Sequence, residues 1–570
     1  MQSYIVSLCL SFAKINNEVG LTKSFITMSS KINGDIYTDE NTLYNFSHDT
    51  SLFEVLPQAV IFPKNVEDVK KLVKFVSENK KSHPSLSITP RSAGTDMSGG
   101  AINDSLILVF EKYFNEIGEV NGNSIKVRPG AYYRDFEKKT LRKRKLMPAY
   151  PASRDLCAVG GMVANNAGGE KSLIYGKVES YIKSLKVVLA DGNEYEIKPL
   201  SRKELSKKMA QKDFEGQIYK KTFQLIENHY DEIKKAKPNV SKNSTGYKIW
   251  DVWDRDKGIF DLTQIFVGSQ GTLGLITEIN FKLVDAPKHS GVLVGYARDL
   301  DHMAEIIQIL KRHNPTSVEA FDEYTLKFAF KFFLQFREGI GWLGLAKLAI
   351  RLIPDALILL RGIPRMIFLA SFDSNSYDDI KHKIDSLRKD IKIKHWRITL
   401  EEAENEEKSE RFWMMRRKSF KLLRDNVKDK HTAPFIDDLV VPPENLAEFW
   451  PKLKKIMDSY ELLYTIAGHL GDGNFHIIPL MDLADSKERA KIEPCLNEVI
   501  DLVKKYNGVI SGEHNDGLIR SPFLDRIYSP KIVKIFREVK TVFDPQNIFN
   551  PHKKTDSNWQ WSKKHMRKRF

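Results

Sequence analysis

Residues 90–100 read PRSAGTDMSGG and lie between two short apolar runs that are typical of β-strands, residues 86–89 and 105–110. The stretch holds three glycines, three small hydroxyl residues and one arginine, Arg91. Glycine permits positive φ and close backbone approach, so the N–H groups of such a loop can converge on an anion. Arginine and hydroxyl side chains add further donors. The pattern predicts an anion-binding loop, although ordinary turns use the same residues.

Two further glycine-rich stretches follow, GGMVANNAGG at residues 160–169 and VGSQGTLGLIT at residues 267–277. Short strands and amphipathic helices surround all three stretches. We predict strands at 59–62, 124–127, 182–189 and 278–284, one helix from residue 66 and another over 133–144. Residues 51 to about 286 therefore predict an α+β nucleotide-binding domain rather than a clean βαβ repeat.

Composition limits the function classes only loosely. The 570 residues carry a formal charge of +15, which favours anionic substrates or surfaces or reflects lysines that are simply solvated. The three cysteines have neither zinc-knuckle nor iron–sulfur spacing, which suggests a reducing cytoplasm. The apolar run near residue 1 lacks a basic start and a cleavage site, so we expect residues 1–43 to be a lead-in rather than a secretion signal.

The second half of the chain changes character at about residue 287. A strand–helix–strand pattern occurs twice and predicts a separate α+β domain with an antiparallel sheet. Residues 324–365 are apolar with flanking Lys and Arg, which fits either a helix on an anionic membrane surface or a helical hairpin packed on its own domain. We expect residues 400–552 to be mainly helical, with the strand-like GVISGEHNDG inserted. The basic tail, residues 553–570, is expected to be mobile and offers a second lipid contact.

The most unusual constellation combines GHLGDGNFH, which contains His469 and His476, with GEHNDG, which contains Glu513 and His514. Two imidazoles and a carboxylate suit a divalent cation of the zinc, manganese or iron class, and an unligated His514 could act as a base. Histidine pairs at such spacing are usually unrelated, but two glycine-flanked histidine loops are harder to dismiss. Arg416 could clamp a substrate carboxylate, although arginines on helices are usually solvated.

Six ordered motifs together resemble the flavoprotein superfamily of vanillyl-alcohol oxidase and p-cresol methylhydroxylase (PCMH). Within it the chain looks like the FAD-linked 2-hydroxy-acid dehydrogenases, which include D-lactate dehydrogenase, the glycolate oxidase D subunit and D-2-hydroxyglutarate dehydrogenase. The motifs are PRSAGTDMSGG, GGMVANNAGG, VGSQGTLGLIT, GHLGDGNFH, SGEHNDG and FDPQNIFNP. The resemblance implies an α+β fold, with a two-subdomain FAD-binding PCMH-type domain over residues 44–286. A ferredoxin-like α+β substrate (cap) domain over 287–500 and a helical segment over 501–552 that returns to the flavin would follow.

The resemblance also implies site residues. The metal ligands would be His469, His476 and Glu513, the catalytic base His514, and the carboxylate-binding residue Arg416. FAD contacts are expected in all three glycine-rich stretches and near the C-terminus, at Arg91, Ser92, Ala93, Gly94, Thr95, Asp96, Ser98, Gly99, Gly160, Gly161, Asn165, Asn166, Ala167, Gly271, Ile276 and Asn550.

The chain departs from the family pattern at several positions. Covalent members carry a histidine where this chain has Thr95, so we expect non-covalent FAD. Many relatives read EHGIG where this chain has Asn515 and Asp516. The hydroxyglutarate enzymes carry a lysine where this chain has Ile436, which argues mildly for a smaller acid. Some long relatives continue into a half with cysteine clusters, and its absence here suggests that electrons leave through another molecule.

We therefore predict an FAD-dependent dehydrogenase that oxidises a D-2-hydroxy acid similar to D-lactate to the 2-oxo acid. It would use a zinc or manganese ion and pass electrons to a quinone, a cytochrome or another acceptor. D-2-hydroxyglutarate or glycolate dehydrogenase, a flavin-binding subunit of a larger oxidase, and a non-oxidising flavoenzyme like the ether-lipid synthase are the alternatives. We expect a cytoplasmic protein with no nucleic-acid partner, attached to the inner face of the cell membrane if residues 324–365 bind lipid.

Overall fold

The computed structural model describes residues 30–323, 362–403, 412–413 and 430–568. Most of the predicted membrane-surface segment, residues 324–361, and the predicted substrate-binding Arg416 lie outside the described residues. Within the described part of the chain, no helix is both long and apolar enough to cross a membrane.

The first subdomain is a four-stranded sheet in the order β1–β2–β4–β3, with β4 parallel to both β2 and β3. Its main helix begins where the Asn65 side chain accepts a hydrogen bond from the Asp68 N–H, and its Val69 and Val73 are buried against the sheet. The loop of residues 92–105 joins β3 to β4, as predicted. The elements are β1 (Asp35–Tyr37), α1 (Glu40–Asn45), β2 (Ala59–Phe62), α2 (Val66–Asn79), β3 (Ile88–Arg91) and β4 (Leu106–Val109).

The second subdomain is built on an antiparallel sheet in the order β5–β12–β7–β8. The predicted strands at 124–127 and 182–189 correspond to β5 and β7. The elements are β5 (Ser124–Val127), α3 (Tyr133–Leu141), β6 (Lys145–Leu146), α4 (Val159–Asn165), α5 (Ser172–Tyr175), β7 (Ile182–Val188), β8 (Glu194–Ile197), β9 (Leu200–Ser201), α6 (Arg202–Met209), α7 (Phe214–Asn228), α8 (Tyr230–Lys235), β10 (Trp253–Asp254), β11 (Ile259–Phe260), α9 (Thr263–Phe266), β12 (Leu275–Lys282) and β13 (Val284–Asp285).

The third unit is an eight-stranded sheet in the order β17–β14–β16–β15–β20–β21–β18, with β19 also paired to β21. Every pairing in this sheet is antiparallel, as predicted for the cap domain. Leu293 and Phe368 pack against helices on one face, whereas Val294 and Ile367 belong to a second apolar cluster on the other. The elements are β14 (His289–Ala297), α10 (Met303–Arg312), β15 (Ser317–Asp322), β16 (Met366–Ser374), α11 (Tyr377–Ile393), β17 (Ile398–Ala403), β18 (His431–Thr432), β19 (Leu439–Val440), α12 (Leu446–Ser459), β20 (Leu463–His469) and β21 (Asn474–Met481).

The hairpin of β20 and β21 corrects the prediction of a mainly helical region after residue 400. β20 pairs with β15 and so extends the cap sheet. All eight residues of β21 are buried, so the sequence lacks the alternation that marks a half-exposed strand. Conversely, GVISGEHNDG contributes only the isolated bridge between Val509 and Val440 rather than a strand.

The C-terminal segment is helical and returns to the first subdomain, where the N–H of Asn550 donates to the Ile88 carbonyl. The described part of the tail packs against the protein, whereas we predicted a mobile segment. Ser562 and Met566 are buried, and Met566 bridges to Phe53, because residues on one side of the last helix pack against the protein. The elements are α13 (Ser486–Ala490), α14 (Ile492–Lys505), α15 (Gly517–Arg520), α16 (Leu524–Ile527), α17 (Pro530–Phe543) and α18 (Trp559–Lys564). The predicted α+β class is confirmed.

Candidate active site

Strand register brings His469 and His476 to one face of the cap sheet. β20 ends at His469, and Gly473 turns the chain with a φ of 67° before β21 begins. A side chain at Gly473 would collide with the Val441 carbonyl, 2.0 Å from the added Cβ. Ala467 lies directly opposite His476 in the hairpin, and His469 follows Ala467 by two residues. The two histidine side chains are therefore near each other on the same face of the sheet.

Glu513 completes a three-residue donor cluster with these histidines. Its Oε1 lies 3.1 Å from His469 Nε2 and 3.3 Å from His476 Nε2. Ligand atoms about 2.1 Å from a tetrahedral cation lie roughly 3.4 Å apart, so the observed spacing fits a zinc-sized ion. All three side chains are buried, and their donor atoms lie within 4.8 Å of one another. The predicted ligand residues are thus adjacent, and their donor set suits a divalent cation.

Asp437 connects His476 to His514. Its Oδ1 lies 3.2 Å from His476 Nδ1 and its Oδ2 lies 2.5 Å from His514 Nδ1. The rings of His476 and His514 stack with centroids 4.7 Å apart. The His514 side chain is 21% exposed, against 7% for His476, so His514 is the more accessible of the two.

Asp438 holds the backbone of the Glu-His pair. Its carboxylate accepts hydrogen bonds from the N–H groups of Glu513 and His514 at 2.9 and 2.7 Å. It also accepts from Ser511 Oγ and Asn474 Nδ2. Asp438 therefore fixes the direction in which the Glu513 and His514 side chains leave the chain.

The protein environment favours positive charge in this cluster. Burial favours the neutral ring of His476, but hydrogen bonds to Asp437 and Glu513 outweigh it and raise the pKa of His476 to about 10. Burial likewise opposes ionisation of Glu513, yet the Lys242 and His469 charges hold the pKa of its carboxyl well below the usual range. The same carboxylates would stabilise a divalent cation bound between these side chains.

Besides Asp437 and Asp438, two more charged residues that the sequence analysis missed contact the cluster. Lys242 Nζ lies 2.8 Å from Glu513 Oε2, and its side chain is only 1% exposed. Glu319, on β15, lies directly opposite His469 in the sheet, and its Oε1 is 2.5 Å from His469 Nδ1. Each is a single charged residue without a local motif, so only the three-dimensional arrangement identifies it.

The first glycine-rich loop contains an unsatisfied cation. Arg91 is 8% exposed, and its Nη1 has no hydrogen-bond partner among the described residues. Gly94 lies over it with a φ of 68°, and an added Cβ would lie 2.3 Å from Arg91 Nη2. Residues 92–97 are partly exposed, whereas Ser98 and Gly99 are buried. A buried guanidinium with a free N–H under a glycine loop fits the pyrophosphate of FAD.

Hydrogen bonds within this loop set its shape. Asp96 accepts from the Ser98 and Gly100 N–H groups at 3.0 and 2.7 Å, and from Asn165 Nδ2 at 2.6 Å. The Thr95 carbonyl accepts from Thr50 Oγ1. The bond from Asn165 joins the loop to the second glycine-rich stretch.

The second stretch forms α4 and leaves space beside the first loop. A Cβ added to Gly161 would meet only Ser92 Cβ, at 3.9 Å, so a gap separates the two loops there. A Cβ at Gly160 would collide with Pro129. Asn166 ends the helix with a φ of 52°, and the buried Ala167 follows it. Open space therefore lies beside Gly161, on the side that faces the first loop.

The same stretch also contacts the metal-type cluster. A Cβ added to Gly168 would lie 2.8 Å from Glu513 Oε2, and the Gly169 carbonyl accepts from Lys242 Nζ at 3.3 Å. The predicted flavin loops and the His–Glu cluster are therefore adjacent parts of one site.

The third stretch and Asn550 close the first loop from behind. Gly271 has a φ of 68°, and a Cβ there would lie 2.2 Å from Pro90 Cγ. Asn550 is fully buried, and its side chain bonds to Thr89, to the Gly100 carbonyl and to the Gln270 carbonyl. Asn550 thus ties the two loops together with every polar side-chain atom engaged. Ile276, on β12, is partly exposed.

Two family descriptions match the chain. "FAD binding domain" matches residues 57–198 and "FAD linked oxidases, C-terminal domain" matches residues 286–554. The chain is 29% identical over 91% of its length to a D-2-hydroxyglutarate dehydrogenase of Haemophilus influenzae, and spans about half (50%) of that relative. It is 25% identical to a D-lactate dehydrogenase of Anaerostipes hadrus, with 93% of this chain and 94% of the relative covered.

Among solved structures, p-cresol methylhydroxylase with bound substrate has a similar fold, with a TM-score of 0.67 at 16% identity. The similarity covers 94% of this chain and 96% of that one. The predicted two-part FAD-binding fold with a cap domain is confirmed. The chain thus combines an FAD binding domain with the C-terminal domain of the FAD linked oxidases, in a fold shared with p-cresol methylhydroxylase.

Proposed function

We propose that the chain is an FAD-dependent dehydrogenase that oxidises a D-2-hydroxy acid to the 2-oxo acid. The observation that carries this proposal is the buried cluster of His469, His476 and Glu513, with His514 beside it, against the second glycine-rich stretch. Hydroxy-acid oxidation needs a flavin, a group that polarises the hydroxyl and a base, and the residues suited to all three roles lie side by side.

The three glycine-rich stretches would hold FAD. Arg91 and the N–H groups of residues 92–99 would bind the pyrophosphate, and Gly160, Gly161, Asn165, Asn166 and Ala167 would line the flavin. Thr95 provides no ring nitrogen for a covalent link, so these contacts alone would retain the cofactor. Bound FAD would supply the redox chemistry by accepting the substrate α-hydrogen together with the electron pair of its C–H bond, as a hydride.

His469, His476 and Glu513 would hold a zinc or manganese ion through two imidazole nitrogens and one carboxylate oxygen. Such an ion would act as a Lewis acid on the substrate hydroxyl. Glu319 and Lys242 would orient two of these ligand side chains. Glu319 contacts His469 at Nδ1 and Lys242 contacts Glu513 at Oε2, and in each case this is the atom that would not bind the metal.

His514 would take the hydroxyl proton at Nε2. The hydrogen bond from its Nδ1 to Asp437 leaves Nε2 directed toward the cluster, 3.9 Å from Glu513 Oε1. A carboxylate at Nδ1 also stabilises the imidazolium that forms when the proton arrives. Arg416, which lies outside the described residues, would hold the substrate carboxylate by paired hydrogen bonds.

A small acid similar to D-lactate is our first candidate substrate, with D-2-hydroxyglutarate and glycolate as alternatives. Ile436 is fully buried within the hydrophobic core of the cap. The isoleucine at this position therefore does not line an accessible pocket, and it is a weak argument against a longer dicarboxylate. Because several relatives are D-2-hydroxyglutarate dehydrogenases, D-2-hydroxyglutarate remains a candidate substrate.

Electrons would pass from reduced flavin to a quinone, a cytochrome or another acceptor, with the chain attached to a membrane surface through residues 324–365. Deletion of residues 328–361 should abolish binding to anionic liposomes, and unchanged binding would contradict the membrane proposal.

Anaerobic flavin bleaching tests the proposed activity. The purified protein is mixed in turn with D-lactate, D-2-hydroxyglutarate, glycolate and the L enantiomers of the first two. We expect bleaching by at least one D acid and not by its L enantiomer. Persistence of the oxidised flavin spectrum with every acid would rule out the hydroxy-acid assignment.

A further inference from the structure

One buried carboxylate serves two imidazoles in the candidate active site. Asp437 is fully buried, and its two oxygens contact different rings, Oδ1 that of His476 at 3.2 Å and Oδ2 that of His514 at 2.5 Å. In both rings the contacting atom is Nδ1. An ionised carboxylate only accepts hydrogen bonds, so both Nδ1 atoms carry the hydrogen.

This arrangement assigns the second nitrogen of each ring. A neutral imidazole protonated at Nδ1 presents a lone pair at Nε2. His476 Nε2 is the atom that faces Glu513 in the donor cluster, and His514 Nε2 is the atom proposed to accept the substrate proton. Both functions need the same tautomer, and both rings obtain it from one residue.

The surrounding structure holds Asp437 in place. Arg520, itself buried, donates from Nη2 to the Asp437 carbonyl at 2.8 Å and lies 3.9 Å from Asp437 Oδ2. The next residue, Asp438, has a φ of 66°, so the chain turns sharply and both aspartates face the cluster. The following strand, β19, pairs with β21 beside His476.

We propose that Asp437 is a positioning residue that fixes the tautomers of the metal ligand His476 and the base His514 together. This inference rests on the proposed function, which assigns those two roles. Asp437, His476 and His514 also form a donor group of their own within 4.8 Å. The nearby Arg520 cation and the direct Asp437–imidazole hydrogen bonds favour orientation over ligation.

Asp437→Asn keeps the shape of the side chain but removes one of the two hydrogen-bond acceptors that serve His476 and His514. Asparagine offers one acceptor oxygen, and its NH₂ group can only donate. One imidazole therefore loses its acceptor and is driven to the opposite tautomer, with a hydrogen on Nε2. If His476 changes, zinc affinity falls by about 10–100-fold. If His514 changes, the flavin reduction rate at saturating zinc falls by about 100-fold or more.

The test uses metal-stripped, FAD-loaded wild-type protein, Asp437→Asn and the control Asp373→Asn. Asp373 is another buried carboxylate, but it pairs with Lys171 away from the cluster. Zinc affinity is measured by competition with a chromogenic chelator, and reduction is followed with the acid that bleaches the wild-type flavin. A loss of zinc affinity, of reduction rate or of both, in Asp437→Asn alone, supports the proposal. Wild-type values for both in Asp437→Asn overturn it.

Failure of the proposed function gives a different result. In that case the wild-type protein itself binds no zinc or is not reduced. If Asp437→Asn does not retain FAD, ¹⁵N spectra of histidine-labelled wild-type protein decide instead, with His476→Asn and His514→Asn used to assign the two rings. Hydrogen on Nδ1 in both rings supports the shared carboxylate, whereas a ring that carries its only hydrogen on Nε2 contradicts it.

Discussion

Replacement of Lys242 by methionine should destabilise the protein in a metal-dependent way. Lys242 Nζ lies 2.8 Å from Glu513 Oε2, and both side chains are almost fully buried. At an effective dielectric constant of about 20, the attraction at this distance is roughly 6 kcal/mol. Part of it is offset by the cost of burying the ammonium group, so we expect a net loss of about 3–5 kcal/mol in the metal-free protein.

Zinc should reduce this loss. Without Lys242, the buried Glu513 carboxylate loses its lysine partner and keeps only the two histidine rings beside it, and a bound divalent cation would replace the lost positive charge. The apparent unfolding midpoint in urea is therefore measured with chelator and with zinc, for wild-type protein, Lys242→Met and the control Lys171→Met. Lys171 lies 2.7 Å from Asp373, but its side chain is 20% exposed, so its loss should cost less.

We expect Lys242→Met to unfold at much lower urea in chelator and to recover substantially in zinc. Lys171→Met should show the same smaller deficit under both conditions. An equal deficit for Lys242→Met with and without zinc would refute the coupling between this lysine and the metal-ligand carboxylate. A variant as stable as wild type would refute the importance of the ion pair.

Three further predictions concern the cluster, the flavin loops and the C-terminal segment. Glu319→Gln should lower zinc affinity about 10–100-fold without loss of FAD, because His469 Nδ1 loses an ionised acceptor; chelator competition checks this, and wild-type affinity would contradict it. Gly271→Ala should lower FAD retention in gel filtration, because its Cβ would lie 2.2 Å from Pro90 Cγ and its φ is 68°. The control Gly122→Ala should retain FAD despite a positive φ, because the added Cβ there meets no atom within 4 Å. Burial lowers the pKa of Lys553 to about 7, below the ordinary value of about 10.4, so the unfolded chain binds a proton that the folded chain lacks and stability should rise with pH between these values. Relative to Lys553→Met, wild-type protein should gain up to about 1.4 kcal/mol per pH unit between about pH 8 and 10 in urea unfolding, and parallel pH profiles would exclude the shift.

Local sequence patterns predicted the FAD-binding half well. Strands β2 and β5 begin and end where their apolar runs do. The first glycine-rich stretch contacts the other two through Asp96–Asn165 and Ser98–Gln270 hydrogen bonds, since it joins β3 to β4 while the second forms α4 and the third leads into β12. His469, His476 and Glu513 could be grouped in advance, since each lies in a short motif with unusual neighbours. Such motifs survive in the sequence because several specialised residues are adjacent in the chain.

The rest of the site depends on contacts that no local pattern reports. Lys242 and Glu319 are isolated charges, and they become functional candidates only because α/β packing brings them to Glu513 and His469. Strand β21 was missed because burial on both faces removes the alternation that marks a strand. The tail was expected to be mobile because its basic residues dominate its composition, whereas its packing depends on the few residues that face inward.

The most direct test of the account combines the flavin with the His–Glu cluster. Metal-stripped, FAD-loaded protein is mixed anaerobically with D-lactate or D-2-hydroxyglutarate, and flavin reduction is followed before and after zinc or manganese is returned. The account predicts slow or absent reduction without metal and rapid, D-specific reduction once one equivalent of metal is restored, with no restoration in His476→Ala. Rapid reduction of the stripped protein, or restoration in His476→Ala equal to that of wild type, would contradict it.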